Sequence, residues 1–587
     1  MITGKLKFFI TAFLVSFLFF SYVSADTLGQ RGTFFVNEEF DKYSRTQLSA
    51  TLRQVSDKMY FYVEDEYWNK INFSTQQDMM NNMLKLAKEF ETNIYPKETM
   101  LWGLEPNPGI DGDPKITILL EDLKKTNGGY FDTVHGYSRQ IANDSNEREM
   151  ISLSAEALVS NPDFLKVFLA HEFHHLISFN QKDLLKKVAE EIWLNELRAE
   201  YSVSVAGYNK PYLGSNLENR FNTFLQNPSD SVTEWPNVLD DYAMVNAFGQ
   251  YLAEQYGSAI LSETLKNNSS VVGIPSINEY LRLKGYSEKF EDIFGYWMAA
   301  MYWNDINKNN RLGYLDTDLK YVRIIPQQQI NLSSGLAEIS LFRFLKPWQP
   351  VWWEFDMSSF QGDLSKSLKL SALGETGGLF PVFYLVVYND GSIEFNKLKL
   401  NGGSGSAFVI SSEKVPSKVV VMATNGTKID GFGALESSLS VRIDIKVVST
   451  EEAIASVVKD GSLIKRKGES EIYVIWGKYK RYLNPGVISL YGHLDPSKAI
   501  ELEPEVFHSY TTANYVKYVD KEEVYAVWPE PGEGSRGGTS TGIASGTKHW
   551  ISLTPVQWDA SGRDWNAIFV INDLELNYYK TGADITR

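Results

Sequence analysis

The 587-residue chain has no cysteine, which removes disulfides, thiolate metal sites and cysteine nucleophiles together. Positive charge is in short supply. Against 73 aspartates and glutamates stand 57 lysines and arginines, a formal charge of −16 that argues against a nucleic-acid binder because phosphates would be repelled. Past the first 25 residues no apolar run reaches the ~18 residues that suggest a membrane span. Histidine is scarce too, yet three of the seven lie within five positions, His171-Glu172-Phe173-His174-His175.

What is present is globular. A hydrophobic content of 43% with 22% charged residues can build cores, and the length suggests roughly two to four domains. Residues 1–25 read as a signal peptide: Lys5 and Lys7, then "FFITAFLVSFLFF", then Val23-Ser24-Ala25 ahead of Asp26. A secreted or cell-surface protein is therefore expected, with no transmembrane segment once the signal is removed.

Residues 26–313 mix helical and strand patterns. "DMMNNMLKLAKEFETNIY" has apolar residues at helical spacing, and "KITILL" (Lys115 to Leu120) reads as a short strand. The turn Asp111-Gly112-Asp113 is a possible but unsupported Ca2+ site, since turn chemistry explains it better. From 330 to 448 strands follow one another without helices, as in a β-sandwich. Residues 463–587 hold an internal repeat: "EIYVIW" at Glu471 returns as "EVYAVW" at Glu523. The second copy carries the insertion "GEGSRGGTSTGIASG", which reads as a surface loop. These aromatic-rich repeats suit attachment to cell-surface or wall components, or equally a packed structural cap.

Asn161-Pro162-Asp163 supplies a cap, a first-turn proline and an acid for a helix that runs through the histidine cluster. On that helix His171 and His175 project about 40° apart and one turn apart in height, so both can face one ion. Glu172 lies about 60° beyond His175, placed for a water rather than the ion. This is the H-E-x-x-H pattern, two imidazoles for zinc and a glutamate for base catalysis. His174 flanks the site. A third ligand must come from elsewhere, and the remaining histidines, His135, His493, His508 and His549, offer no suitable spacing. His135 reads as a loop histidine. Carboxylates are then the natural source, and "EEIWLNELRAEYS" provides Glu190, Glu191, Glu196 and Glu200. Glu190 and Glu191 fit an exposed acidic edge.

"TILLEDL…GGYF", "FLAHEFHHLISF" and "WLNELRAEY", in this order, resemble the hyicolysin-type neutral zinc metallopeptidases of bacteria, within the gluzincin, thermolysin-like group. The resemblance covers roughly residues 30–310. It implies an α+β fold with a zincin-like metallopeptidase domain over 26–313, ahead of the β-sandwich and the tandem repeats. It implies one catalytic Zn2+ held by His171, His175 and Glu196, with Glu172 as general base. Glu200 falls where such enzymes place a carboxylate that orients a ligand histidine through its other ring nitrogen. Tyr242, in "DDYAMVNAFGQYLAEQYG", is the candidate oxyanion donor. "NGGYFD" (Asn127 to Asp132) would edge the cleft and pair with an extended substrate.

The expected activity is zinc-dependent endopeptidase hydrolysis of protein or peptide substrates. Two alternatives stand beside it: a surface attachment protein with an inactive peptidase-like domain, and a zinc aminopeptidase. The second would need an acidic site for the substrate's free amine, and no GxMEN-like element supplies one.

Overall fold

Three apolar strands decide the architecture of the first half. The computed structural model describes residues 25–586 apart from 126–127, 268–269, 361, 412–413, 434, 503 and 529–545. The expected signal segment up to residue 24, Asn127 of the cleft-edge stretch, and all but the last residue of the insertion in the second repeat lie outside the described residues. Among the described residues no helix is long and apolar enough to cross a membrane.

The chain forms two units. One holds the described residues up to Ile325 with Leu345–Val351 and Thr424–Ser438; the other holds Pro326–Phe344, Trp352–Ala423 and the residues from Leu439 onward. Their composition is α+β, with the sheets of the second unit following the mixed first one.

The first unit has a six-stranded sheet made of β1 (Arg31–Phe35), β2 (Gln47–Val55), β3 (Met59–Glu64), β4 (Ile116–Glu121), β5 (Gly129–Tyr130) and β6 (Met150–Ser154). Its order is β1-β2-β3-β4-β6-β5. The central strands β3, β4 and β6 are parallel to one another and buried along their whole length. Continuous apolar runs such as "MYFYV" and "ITILL" suit that position, because a parallel strand is covered on both faces. Strand β5 closes the sheet, antiparallel to β6.

Around this sheet lie α1 (Asp65–Lys70), α2 (Phe73–Glu89), α3 (Tyr95–Trp102), α4 (Ala155–Ser160), α5 (Pro162–Ser178), α6 (Ile192–Ala206), α7 (Asn216–Gln226) and α8 (Leu239–Tyr256), followed by α9 (Ala259–Lys266), α10 (Gly273–Lys284) and α11 (Phe290–Trp303). Helix α2 starts earlier than its periodicity suggests, because Asn72 caps it by accepting from the Thr75 N–H. It ends at Glu89 in a π-helical turn, Phe90–Ile94, that leads directly into α3. The Asn161 cap of α5 accepts from the Phe164 N–H. At Asp111-Gly112-Asp113 the carboxylates serve the chain itself: Asp111 accepts from the Asp113 N–H, and Asp113 accepts from the Lys115 N–H and the Tyr60 hydroxyl.

The second unit begins with β7 (Gln328–Asn331), β8 (Glu338–Leu345), β9 (Val351–Asp356), β10 (Lys366–Gly374), β11 (Val382–Tyr388), β12 (Ile393–Leu398), β13 (Ser404–Val409), β14 (Pro416–Ala423) and β15 (Leu439–Ser449). They form two sheets, β13-β10-β15-β8 and β12-β11-β14-β9-β7. Strand β15 alternates, burying Val441, Ile443 and Ile445, and its partner β10 buries Leu368, Leu370 and Ala372 in register with it. Period-two burial of this kind marks a sheet with one covered face.

After α12 (Thr450–Val457) come two copies of one topology. The first copy has β16 (Leu463–Arg466), β17 (Ile472–Trp476), β18 (Tyr479–Leu483), β19 (Ile500–Leu502) and β20 (Thr511–Thr512), with α13 (Pro485–Ile488) and α14 (Pro504–Ser509). The second has β21 (Tyr515–Tyr518), β22 (Val524–Trp528), β23 (Thr547–Trp550), β24 (Ile568–Ile571) and β25 (Lys580–Thr581), with α15 (Pro555–Ala560) and α16 (Asp573–Tyr578). In each, the fourth strand lies parallel beside the first and the fifth parallel beside the third. "EIYVIW" and "EVYAVW" supply the equivalent strands β17 and β22, and residues 529–545 fall in the β22–β23 connection. A lysine recurs as well. Lys480 on β18 donates to carbonyls at the end of α14 (Phe507 and Tyr510), and Lys548 on β23 donates to the Leu576 carbonyl near the end of α16.

The copies share one core, in which Leu463, Ile472, Leu483 and Val487 of the first meet Val516, Val527, Phe569 and Ile571 of the second. At its side Arg481 pairs with Glu575 at 2.5 Å, both sealed from solvent, and the hydroxyls of Tyr491 and Tyr579 also donate to Glu575. Removing one member of a buried ion pair strands the other. Arg481→Ala is therefore expected to lower the unfolding free energy of the repeats by about 3–5 kcal/mol in urea titration. A loss well under about 1 kcal/mol, the scale of an exposed pair, would contradict this.

Candidate metal centre

Helices α5 and α6 present their polar residues to each other inside an otherwise apolar packing. The His171 Nε2 stands 3.1 Å from Glu196 Oε2 and 3.2 Å from His175 Nε2, and His175 Nε2 is 3.4 Å from the same Glu196 oxygen. Among the described residues this is the one set of three such side chains whose ligand atoms converge closely enough to hold a metal ion. The set reflects helical spacing on both sides. His171 and His175 are one turn apart on α5, and Glu196 comes from the first half of α6.

Glu200, one turn beyond Glu196, is buried, with Oε1 3.7 Å from His171 Nδ1. Its carboxylate receives Arg220 through two bonds at 3.0 and 2.6 Å, Asn246 at 2.8 Å and Asn216 at 3.1 Å. Arg220 and Asn216 lie on α7 and Asn246 on α8, so two neighbouring helices fix the orientation of this one acid. Gly249 makes the approach of α8 possible, since a Cβ there would meet the Leu197 side chain of α6 at 2.9 Å. Neither Arg220 nor Asn246 was singled out in the sequence. The usable signal was Asn246, a polar residue within the apolar "AMVNAFG", because a buried amide needs partners.

Glu172 is 7% exposed, and the Phe131 backbone N–H just past β5 is among the groups that favour its charged form. Burial raises its carboxyl pKa, against the pull of His171 and His175. Glycines let β5 lie against α5: a Cβ on Gly128 would collide with Phe168, and one on Gly129 would collide with Leu153 and the Ser152 carbonyl. For His171, burial alone would lower the pKa, but the Glu196 hydrogen bond and the charges of Glu172, Glu196 and Glu200 push it up to about 9. Glu196 moves the opposite way: burial raises it, and the two imidazoles hold it far below the usual carboxylate range. The niche favours positive charge.

Tyr242 opens α8, its ring centroid 6.2 Å from that of His171 and 5.1 Å from that of Trp235, with the Arg220 guanidinium 5.0 Å from its ring centroid. Its hydroxyl donates to the Asn237 side chain. His174 is fully buried against Trp102 and is not part of the converging set. His135 is also buried, in a 3-10 turn where its Nδ1 accepts from the Asn146 N–H.

Glu190 corrects an expectation. Far from an exposed edge, its side chain is 2% exposed, pairs with Arg198 at 2.8 Å and lies 3.6 Å from Lys182. It also accepts the Gly273 N–H. Two buried cations in one place require a buried anion, and Glu190 is that anion. Glu191 accepts from Trp193 Nε1 and pairs with Lys428.

No protein-family profile matches this chain, and no curated protein does. Among solved structures, Aeromonas hydrophila PliG, a periplasmic lysozyme inhibitor of g-type lysozyme, aligns with 21% of this chain and 98% of its own at 5% identity and a TM-score of 0.14. A family GH115 4-O-methyl-alpha-glucuronidase with specificity for decorated arabinogalactans aligns over 57% of this chain and 51% of its own, at 7% identity and a TM-score of 0.11. Likenesses of this size carry no argument about the site.

Groups that orient a ligand histidine govern metal affinity about 10- to 100-fold. Glu200→Ala and Arg220→Ala are expected to weaken metal binding by that much in chelator competition, with the fold retained by circular dichroism. Unchanged affinity in both variants would remove Glu200 and Arg220 from the centre.

Proposed function

We propose that this chain is a zinc-dependent metallopeptidase, acting as an exported endopeptidase of the gluzincin kind. The observation that carries the reading is the triangle of ligand atoms with sides of 3.1, 3.2 and 3.4 Å. Ligands at about 2.0–2.1 Å in a tetrahedron stand about 3.3–3.4 Å apart, so two imidazoles and one carboxylate here match a four-coordinate ion with one position left open. The donor set agrees: with no thiolate available, His₂Glu suits zinc, although other first-row ions would also bind.

A zinc ion held by His171, His175 and Glu196 would acidify water and polarise a scissile carbonyl. Glu172, beside these ligands, would take a proton from the attacking water and pass it to the leaving amine. Strand β5 ends the sheet next to Glu172, and its outer edge can pair with an extended peptide. Tyr242 has its ring near His171 and would reach an oxyanion once its hydroxyl leaves Asn237. Residues 1–25 would direct export, and the terminal repeats would hold the enzyme at a surface.

Residues 26–587, loaded with zinc, are expected to cut an unfolded protein at internal bonds. Glu172→Gln should keep its metal and lose about 10²- to 10⁴-fold of the rate. Equal activity in the variant contradicts the role of Glu172. Absence of cleavage by both, with metal bound, favours an attachment protein with an inactive peptidase-like domain. Cleavage confined to peptides with a free amino end favours an aminopeptidase.

A further inference from the structure

Asp26, the residue that would follow export cleavage, is part-buried and held by three side chains. Its Oδ2 accepts from the Tyr62 hydroxyl at 2.8 Å and from Arg148 at 2.9 Å, and its Oδ1 accepts from Gln30 at 2.9 Å. Its side chain is 13% exposed. The chain that follows is tied at once to the sheet, with Gly29 donating to the Leu52 carbonyl and Leu52 donating to that of Gln30. A first residue of a mature chain ordinarily frays unless something holds it.

The surroundings of its backbone nitrogen are acidic. Tyr60 lies two residues before Tyr62 on β3, on the same face as the tyrosine that binds Asp26, and its hydroxyl donates to Asp113 at 2.8 Å. Asp111 and the Asp26 carboxylate are the other anions close by. Glu149 lies beyond Asp111, buried, with one oxygen lacking any hydrogen-bond partner. The cations facing this group are Arg148, paired with Asp26, and Lys115, whose Nζ donates to the Ser56 and Asp57 carbonyls about the Tyr60 ring. Burial pushes Glu149 up to about 7, so the standing charges are Asp26, Asp111 and Asp113, which outnumber Arg148 and Lys115.

From this placement we infer that the α-ammonium group created at Asp26 by cleavage after Ala25 is a structural cation. It donates to Tyr60 and, through it, is held by Asp113, locking the mature amino terminus onto the end of the sheet. Cleavage then does more than release the chain. It supplies a positive charge that the acidic group lacks in the precursor, where the same nitrogen is a neutral amide. The inference rests on the reading of residues 1–25 as an export signal and is independent of the metal centre.

Two measurements test it. First, the amino terminus of the chain released from the 587-residue precursor is determined by mass spectrometry. Asp26 is expected, and any other first residue overturns the proposal through its processing premise. Second, the chain starting at Asp26 is prepared with a free and with an acetylated amino end, and both are melted across pH. Neighbouring carboxylates raise the pKa of the folded ammonium above its unfolded value of about 7.7–8.0. Its contribution is therefore full below about pH 7.7 and disappears as pH rises through the folded value. The free-ended form should melt about 2–4 °C higher than the acetylated one at pH 6, with the curves meeting at high pH. In the Tyr60→Phe background the gap between the two ends should shrink. Coincident melting at every pH, or an undiminished gap in Tyr60→Phe, overturns the lock.

Discussion

Everything in the first unit answers to one electrostatic problem. Glu172, Glu196 and Glu200 are brought against two imidazoles in a largely buried niche, and burial makes unbalanced charge expensive. Arg220 balances one of the three carboxylates. A divalent ion would balance the other two. The upward shift of His171 and the downward shift of Glu196 have a single origin, the mutual attraction of the imidazoles and the carboxylates against the cost of burial.

The packing is arranged to hold that niche still. Phe173, on the face of α5 away from the converging atoms, meets Phe90 and Tyr95 edge-on and stacked at 4.8 and 5.6 Å, tying the helix to the π-turn behind it. On the far side Glu190 gathers Arg198 of α6 together with Lys182, which also reaches the Thr264 and Val271 carbonyls. Such contacts restrict where α5 and α6 can sit, and the ligand triangle depends on that position to within fractions of an ångström. A buried network that is fully paired rigidifies in this way, and one that is partly paired does not.

How much of this was legible in the residues depended on whether the relation was local. The His171–Glu172–His175 arrangement follows from helical spacing alone, and the Asn161-Pro162 start of α5 follows from capping chemistry. Glu196 and Glu200 required a resemblance, because nothing local marks which of four acids turns inward. Glu190 shows why: its burial is enforced by Arg198 and Lys182, a partnership invisible without the fold. Arg220 was out of reach for the same reason, whereas Asn246 was marked by being a lone amide in an apolar run. The alternating strands of the second unit were readable from their period, and the terminal repeat was readable because β17 and β22 keep the same short phrase. The shared core between the copies was not, since Leu463 meeting Phe569 is a contact across about a hundred residues of sequence.

The account stands or falls on the ligand triangle. The most direct measurement is X-ray absorption at the zinc edge on the purified chain, combined with metal counting for the parent and for Glu196→Gln. One ion per chain with nitrogen and oxygen neighbours at about 2.0–2.1 Å, and much weaker retention by the variant, is the predicted result. A chain that takes up no metal, or one that binds it equally well without the Glu196 carboxylate, would contradict the assignment at its base.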